Sequence, residues 1–262
     1  MSNFSGKVAL VTGAGRGIGA GIALELALQG ASVALMARTA STLEEAAERI
    51  RSEVAVPLTS HPGDVSDETS VERVVEAVLK EHRRIDILVN NAGIVDQAEF
   101  LDIALAGWNS VIAINLTGVF LMTQRVARRM RGFGGGSIVN IASIDAYGTD
   151  GPQASYSAAK AGLIGLTKAA ATELAPFQVR VNSVSPGWVR TQMVEEFVSP
   201  QALQHMLSNF SRVPMRRMVE IAEVARAVAF LAGPESSGIT GIDIPVDCGT
   251  LSNLFVYETL PR

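Results

Sequence analysis

The sequence predicts an α/β fold, a single doubly wound, parallel sheet of seven strands with helices on both faces. Short aliphatic runs alternate with longer stretches of helical period from one end of the chain to the other. Several of the short runs lack polar alternation, as expected for strands buried on both faces of a parallel sheet. No linker, repeat or low-complexity tract interrupts the 262 residues, so we predict a single domain over residues 1–262.

Each predicted element has its own local pattern. Seven short runs rich in aliphatic residues are predicted strands: Lys7–Thr12, Ser32–Met36, Ala55–Thr59, Ile85–Val89, Ser137–Ala142, Val179–Val184 and Ile242–Val246. The segments between them place apolar residues three and four apart, which is helical spacing. The predicted helices are Ile18–Gln29, Ser41–Ser52, Asp67–His82, Trp108–Arg131, Ser155–Ala175 and Ala222–Ala232.

The remaining segments are irregular. The longest, residues 186–219, contains a short helical pattern at Gln201–Phe210, and a connection of this length inside a compact domain is usually functional, so we expect a lid over the substrate. The glycines of Gly132–Gly136 predict that the preceding helix ends there. The tail Thr250–Arg262 is apolar, and we expect it to pack on a neighbouring subunit or near the pocket.

Composition excludes several classes of protein. The chain has 22 basic and 26 acidic residues and no basic block, so nucleic acid is not an expected partner. Its single cysteine, Cys248, excludes a disulfide-stapled fold and fits a reducing compartment. The three histidines have no metal-ligand spacing, so we predict no metal site. No apolar stretch approaches a membrane span and no signal peptide is evident, so we expect a cytoplasmic protein.

The first predicted strand ends in a glycine-rich turn, where a helix begins. The turn consists of Thr12, Gly13, Ala14, Gly15, Arg16, Gly17, Ile18 and Gly19. Without side chains, backbone N–H groups and the positive end of the helix can approach a pyrophosphate. Glycine also serves tight turns and close helix packing, so the turn alone leaves a structural alternative. Its position after a buried first strand favours a Rossmann-type dinucleotide site.

The end of the second predicted strand indicates which dinucleotide the site binds. Sites for NAD(H) usually place a carboxylate there to bond the ribose hydroxyls. This strand ends instead in Ala37-Arg38, and Arg38 could pair with a 2′-phosphate, with Arg16 adding a second positive charge. We therefore predict NADP(H) in preference to NAD(H). The alternative is that both arginines are solvated surface residues.

Tyr156 and Lys160 lie four residues apart at the start of a predicted helix, so both project from one face. A phenol titrates near pH ~10, and a nearby ammonium would lower its pKa toward neutrality and make it a usable acid or base. Taken alone, such a pair is commonly a coincidence of surface residues. Ser143 supports the catalytic interpretation because it closes a strand at the carboxyl edge where sheets of this type bind ligands.

These residues make the sequence similar to the short-chain dehydrogenase/reductase family, in its shorter single-domain subgroup. The resemblance covers Ser5 to Gly249, nearly the whole chain. Six motifs occur in order: Thr12-Gly13 with Gly17 and Gly19, Asp64, Asn90-Asn91-Ala92-Gly93, Asn115, Ser143 with Tyr156 and Lys160, and Pro186-Gly187 with Thr191. The last family motif, Asp-Gly-Gly, reads Asp247-Cys248-Gly249, and we expect Cys248 to be a small buried side chain.

The resemblance implies a role for each matching residue. Tyr156 would exchange a proton with the substrate oxygen, and Ser143 would hold that oxygen. Lys160 would bond the nicotinamide ribose, and Asn115 would hold a water that relays the proton. The other cofactor contacts implied are Asp64 and Val65 at the adenine, Asn91, Ala92 and Gly93 along the cofactor, and Val189 and Thr191 at the carboxamide after Pro186 and Gly187.

The choice of substrate would depend on residues outside the motifs. Asp145 and Gln153 should flank the reacting oxygen, with Asp145 either bonding a substrate hydroxyl or facing solvent. We expect the pocket walls to come from Ile94, Val95, Trp188 and Met193. Arg128, Arg129 and Arg131 would either recognise an acyl carrier protein or end a solvated helix.

The expected function is NADP(H)-dependent transfer of a hydride between nicotinamide and a carbonyl or secondary alcohol of a small molecule. Among substrates, the chain most resembles 3-oxoacyl thioester reductases, and sugar or polyol dehydrogenases are the alternative. A cofactor-binding protein without turnover is a further alternative. The resemblance also implies a homotetramer.

Overall fold

The computed structural model describes residues 4–253, apart from the side chains of Met193, Glu196 and Phe197. Its strands are β1 Val8–Thr12, β2 Ser32–Ala37, β3 Leu58–Pro62, β4 Ile87–Asn90, β5 Gly136–Ile141, β6 Val179–Pro186 and β7 Asp243–Val246. Its α-helices are α1 Gly17–Leu28, α2 Ala40–Glu53, α3 Glu68–His82, α4 Leu105–Ile112, α5 Gly118–Met130, α6 Ala154–Leu174, α7 Gln192–Phe197, α8 Pro200–Asn209 and α9 Ile221–Ala232.

The strands form one parallel sheet in the order β3-β2-β1-β4-β5-β6-β7. The chain builds outward from β1 to β3 and then crosses to the other side of β1 for β4. This reversal opens a crevice at the carboxyl ends of β1 and β4, the place where open α/β sheets bind ligands. The predicted fold class, a seven-stranded parallel sheet in a single domain, is confirmed.

Both faces of the sheet are buried, because successive side chains of a strand point to opposite faces and are apolar on each of them. In β1, Ala9 and Val11 pack in a core with α1, α2 and α9. Val8 and Leu10 face the opposite core, which α3, α5 and α6 cover. The uninterrupted apolar runs in the sequence therefore reflect burial on two faces.

Two elements differ from their predicted bounds by three residues or more. The third strand lies three residues later than predicted because its register is set by β2, with Val33 opposite Leu58 and Ala37 opposite Pro62. It is an edge strand, where a proline is tolerated. The single helix predicted at Trp108–Arg131 begins earlier, at Leu105, and a π-helical turn at Ala113–Thr117 separates α4 from α5.

One continuous helical run, Leu105–Phe133, is long and apolar enough to cross a membrane by length and composition. Core helices of globular proteins pass the same test. Val119, Met122 and Val126 of this run are buried against the fold, and its π-helical turn carries Asn115. We therefore interpret the run as a core element.

Candidate active site

The glycine-rich turn joins β1 to α1 at the carboxyl edge of the sheet. Gly13 and Gly17 have φ values of +63° and +57°, the left-handed region that favours glycine. Among the described residues, a Cβ on Gly17 would approach only Thr191 Cγ2, at 3.8 Å, so the turn borders open space there. A Cβ on Gly19 would instead collide with the Gly13 carbonyl oxygen and the Asn91 amide. Gly19 is closely packed and does not line the cavity, and its predicted contact with a cofactor stays a prediction.

Thr12 and Asn91 join the turn to the end of β4. The Thr12 hydroxyl accepts hydrogen bonds from the backbone N–H groups of Asn91 and Ala92, at 3.0 and 3.1 Å. The Asn91 side-chain amide donates to the carbonyl oxygens of Thr12 and Gly13, also at 3.0 and 3.1 Å. Asn91 therefore fixes the shape of the glycine-rich turn.

Positive charge flanks the turn on the side of β2. Arg16 directly precedes α1, Arg38 follows β2, and both are exposed and line the cavity. Asp64, after β3, accepts from the Ser66 N–H and hydroxyl at 2.9 and 2.7 Å. Partial burial of Asp64 opposes ionisation, but these hydrogen bonds and the Arg38 charge lower its pKa. The carboxylate is thus engaged by its own loop, and the tip of β2 carries a guanidinium.

A cavity of about 850 Å³ runs along this edge of the sheet. Of the predicted site residues that the structure describes, all except Gly19 and Asn115 line this cavity. The lining residues that were predicted are Gly13, Gly15, Arg16, Gly17, Ile18, Arg38, Asp64, Val65, Asn91, Ala92, Gly93, Ile94, Val95, Ser143, Asp145, Gln153, Tyr156, Lys160, Pro186, Gly187, Trp188, Val189 and Thr191. The Met193 side chain lies outside the described part of the chain.

Several polar residues of the cavity wall were missed by sequence reasoning: Thr39, Thr42, Gln97, Asp150 and Gln192. Thr39 directly follows Arg38 and Thr42 lies in the first turn of α2, so the rule that ligands bind at carboxyl ends of strands could have indicated them. Asp150 and Gln97 lie in irregular loops, and no periodic signal marks their positions.

Ser143, Tyr156 and Lys160 meet at the cavity wall. Ser143 follows β5, and the other two lie one turn apart on α6. Lys160 is 4% exposed, and its Nζ donates to the Ile141 carbonyl oxygen at 2.6 Å. The same Nζ lies 5.4 Å from the centre of the Tyr156 ring. The Ser143 hydroxyl lies close enough to the Tyr156 phenol to influence its pKa.

The pKa of Tyr156 differs from the sequence prediction. Burial raises it and outweighs the hydrogen bond with Ser143, which lowers it. The predicted lowering by the Lys160 ammonium is therefore wrong. Burial also lowers the pKa of Lys160 itself to about 8. The phenol keeps its proton at neutral pH, so Tyr156 is arranged as a proton donor.

Asn115 lies behind the cavity, in the π-helical turn between α4 and α5. It is fully buried. Its Nδ2 donates to the Ile94 carbonyl oxygen at 2.7 Å, and its Oδ1 accepts from the Ile94 N–H at 3.0 Å. The side chain therefore holds the loop after β4, and with it a wall of the cavity.

An acidic group adjoins Ser143. The Ser143 hydroxyl donates to Asp145 Oδ2 at 3.0 Å, and the Asp145 N–H donates back to Ser143 Oγ at 3.1 Å. Gln153 donates to Asp150 Oδ1 at 2.9 Å. Burial, reinforced by the neighbouring Asp150 charge, raises the pKa of Asp145 to about 6. Asp145 is thus hydrogen-bonded to Ser143, a contact that neither predicted role for Asp145 included.

The segment after β6 forms the opposite wall. Gly187 lies so close to the Asp247-Cys248-Gly249 turn that an added Cβ would be 2.9 Å from Asp247 Cα. Trp188 packs edge-to-face on Phe210, with ring centres 6.4 Å apart. Cys248 is buried, as predicted, at 9% exposure. The apolar tail expected to pack on a neighbour falls largely at residues 254–262, outside the described residues.

The arginines considered for carrier recognition do not line this cavity. They end α5 and precede β5, so they lie toward the amino edge of the sheet. Arg129 pairs with Glu72 and Glu76. Arg131 stacks over the Phe177 ring at 4.5 Å. Within residues 4–253, no group of His, Cys, Asp and Glu side chains could hold a metal ion.

Comparison with known proteins places this site in context. The family model described as enoyl-(acyl carrier protein) reductase matches residues 13–250. A 3-oxoacyl-[acyl-carrier-protein] reductase from Thermotoga maritima is 40% identical over 248 residues, which cover 93% of this chain and 97% of the relative.

Solved structures agree with this similarity. A short-chain type dehydrogenase/reductase from Mycobacterium marinum superposes with a TM-score of 0.88 at 40% identity, covering 96% of this chain and 98% of that one. An NAD+-bound xylitol dehydrogenase superposes with a TM-score of 0.86 at 37% identity, covering 93% and 98%. Both matches extend over nearly the whole fold, including the site.

Proposed function

The chain belongs to the short-chain dehydrogenase/reductase family, and from that premise we propose that it is an NADPH-dependent ketoreductase. As a member of the family it is an oxidoreductase that uses a nicotinamide cofactor and acts on CH–OH groups or the corresponding carbonyls. The observation that supports the proposal best is the convergence of Ser143, Tyr156 and Lys160 on the cavity that begins at the glycine-rich turn.

The cavity fits a dinucleotide. The open space beside Gly17 and the N-terminus of α1 suit a pyrophosphate, which backbone N–H groups would bond. Asp64 and Val65 would contact the adenine, and Val189 and Thr191 the carboxamide. When bound, the nicotinamide supplies or accepts the hydride.

The preference for NADPH rests on charge at the tip of β2. Arg38 and Arg16 both line the cavity, and no carboxylate follows β2 where NAD-dependent enzymes place one. A guanidinium binds phosphate through charge-assisted hydrogen bonds, so a 2′-phosphate would be favoured there. The Thr39 and Thr42 hydroxyls, on the same wall, could add neutral hydrogen bonds.

The catalytic residues divide the work on the substrate oxygen. The half-buried, protonated Tyr156 phenol would donate its proton to the carbonyl oxygen as the carbonyl is reduced. Ser143 would stabilise charge developing on the same oxygen. Lys160, fixed by the Ile141 carbonyl, would bond the nicotinamide ribose. We further propose that Asn115 holds the water that returns a proton to the site.

For the substrate we propose a 3-oxoacyl thioester, because a relative with 40% identity over most of the chain is named for that reaction. Polyol or sugar dehydrogenation is the second candidate. It is favoured by the cluster of Asp145, Asp150 and Gln153 at the cavity wall, whose polar groups suit substrate hydroxyls, and by the similarity to a xylitol dehydrogenase. The segment 186–219, with α7 and α8, would close over either substrate.

We also propose that the chain is a homotetramer. Three apolar side chains before and at the start of α4 form what we call the α4 entrance patch: Phe100, Leu101 and Leu105, which are 76%, 94% and 72% exposed. Adjacent apolar side chains with this exposure are typical of protein–protein contacts.

The test is a substrate panel followed by cofactor absorbance at 340 nm, with acyl thioesters, cyclic ketones, steroids and sugars, each with NADPH and NADH. We expect turnover of a 3-oxoacyl thioester with NADPH.

Tyr156→Phe should lower kcat by about 10²- to 10⁴-fold while leaving the NADPH dissociation constant nearly unchanged, because it removes the proton donor alone. If wild type and variant bind cofactor and reduce the substrate equally, Tyr156 is not the acid. If the wild type binds cofactor but turns over nothing, a non-catalytic role is favoured.

A further inference from the structure

The hydrogen bonds of Ser143 are already committed to protein groups. Its Oγ accepts from the Asp145 N–H at 3.1 Å, and its single proton goes to Asp145 Oδ2 at 3.0 Å. A hydroxyl has one proton to donate. While the Asp145 carboxylate holds that proton, Ser143 cannot also donate to a substrate oxygen.

We propose that Asp145 is a positioning residue that determines whether Ser143 can donate to the reacting oxygen. As a neutral acid, Asp145 donates its own O–H to Ser143 Oγ and leaves the serine proton for the substrate. As a carboxylate, it takes that proton for itself. This inference rests on the proposed function only in that Ser143 acts on a substrate oxygen.

The surroundings of Asp145 make both protonation states accessible. The bond from Ser143 to the carboxyl, and the nearby Asp150 backbone N–H and Gln153 side chain, favour the ionised form. Burial and the negative charge of Asp150 oppose them and raise the pKa of Asp145 to about 6. The change of state therefore falls within the pH range of ordinary assays.

The other ionisable groups around this turn are few. On α6, Tyr156 and Lys160 both interact electrostatically with Asp145. β6 also packs against the turn, and its one charged residue, Arg180, lies at the opposite end of the strand and bonds the Leu231 carbonyl oxygen. On β7, Asp243 accepts from the Tyr147 hydroxyl at 2.8 Å, next to the turn. Asp150 is thus the acidic neighbour that matters most.

The main test is the pH dependence of kcat/KM for carbonyl reduction at saturating NADPH. For the wild type we expect a fall of about tenfold as the pH rises from about 5 to about 8, because the ionised carboxylate competes for a hydrogen bond to the developing oxyanion. In Asp145→Asn, the amide can donate to Ser143 at every pH. We expect this variant to keep the higher rate and to lack the transition.

A second variant tests the cause of the transition. Asp150→Asn removes the like charge while keeping an oxygen that can accept from Gln153, so the pKa of Asp145 should fall and the transition should move to lower pH. Asp102→Asn makes the same change at an exposed position on a turn outside the cavity. We expect its profile to match the wild type.

A direct titration separates this inference from the proposed function. Carboxyl ¹³C NMR of the whole protein should show a resonance that titrates well above ordinary aspartates, that is missing in Asp145→Asn and that shifts in Asp150→Asn. An ordinary pKa for Asp145 would overturn the inference whatever the substrate is. An unchanged pH transition in Asp145→Asn would overturn the inference as well. So would an activity of Asp145→Asn as low as that of Ser143→Ala, if the thermal unfolding of Asp145→Asn is unchanged. Failure of the substrate panel alone would count against the proposed function, and the titration would still decide the role of Asp145.

Discussion

Arg38 is the residue best placed to separate the two nicotinamide cofactors, because its guanidinium follows β2 at the cavity wall. In Arg38→Asp, the NADPH dissociation constant should rise by about 10- to 100-fold relative to that for NADH, because one charge-assisted hydrogen bond to the 2′-phosphate is lost. Fluorescence titration with both cofactors measures this. Arg49→Asp, an exposed position on α2 outside the cavity, is the matched control. Equal weakening of both cofactors in Arg38→Asp would exclude a role in binding the 2′-phosphate.

Residue types and spacing predicted most of the residues that line the cavity but not the bonds that each side chain makes. Asn91 was expected along the cofactor and Asn115 to hold a relay water, and the structure shows that both side-chain amides bond backbone carbonyl groups. The pKa of Tyr156 could not be predicted either. Spacing places Lys160 nearby, but the extent of burial, which dominates, is a property of the packed fold.

At the scale of elements, β3 and α3 share a pair of histidines bridged by a threonine. The Thr59 hydroxyl lies 2.8 Å from Nε2 of His61 and 2.8 Å from Nε2 of His82. Burial lowers the pKa of both rings. The folded protein therefore holds them neutral, while the unfolded chain takes up protons below its ordinary histidine pKa of about 6.5.

This linkage predicts how stability depends on pH. The contribution of the two histidines to the free energy of unfolding is fully present above pH ~6.5. It is lost as the pH falls through the lowered pKa values that the histidines have in the folded protein. The double variant His61→Asn with His82→Gln should therefore lose less unfolding free energy than the wild type between about pH 7.5 and about pH 5.5. Urea denaturation at both pH values measures the difference. Parallel pH dependence of the two proteins would show that the histidines are not linked to folding.

Element boundaries were predictable where a periodic pattern ended at a glycine or a cap, and unpredictable where a neighbour set them. α3 begins after Asp67, whose side chain accepts from the Thr69 N–H, and the predicted bounds hold within a residue. The third strand shifted because pairing with β2 selects Leu58–Pro62 over the more apolar residues before it. The π-helical turn at Ala113–Thr117 has no signature in the hydrophobic pattern.

At the scale of the whole molecule, the α4 entrance patch should carry a subunit contact. Leu101→Glu places a charge on a side chain that is 94% exposed, so the fold should tolerate it while the contact should not. Size-exclusion chromatography with light scattering should give the mass of four chains for the wild type and a smaller assembly for the variant. Leu28→Glu, at a position 53% exposed on α1, is the matched control and should leave the mass unchanged. A monomeric wild type would contradict the proposal.

The sequence by itself determined the fold class, the order of the elements and most of the residues that line the cavity. These follow from local patterns: apolar periodicity defines strands and helices, and the ends of parallel strands must meet at one edge of the sheet. The tertiary structure decided how those residues bond. It placed Asp145 on Ser143, raised the pKa of Tyr156 and assigned Gly19 to packing. Burial and hydrogen-bond geometry arise only when distant segments pack together, so they cannot be read from the spacing of residues along the chain.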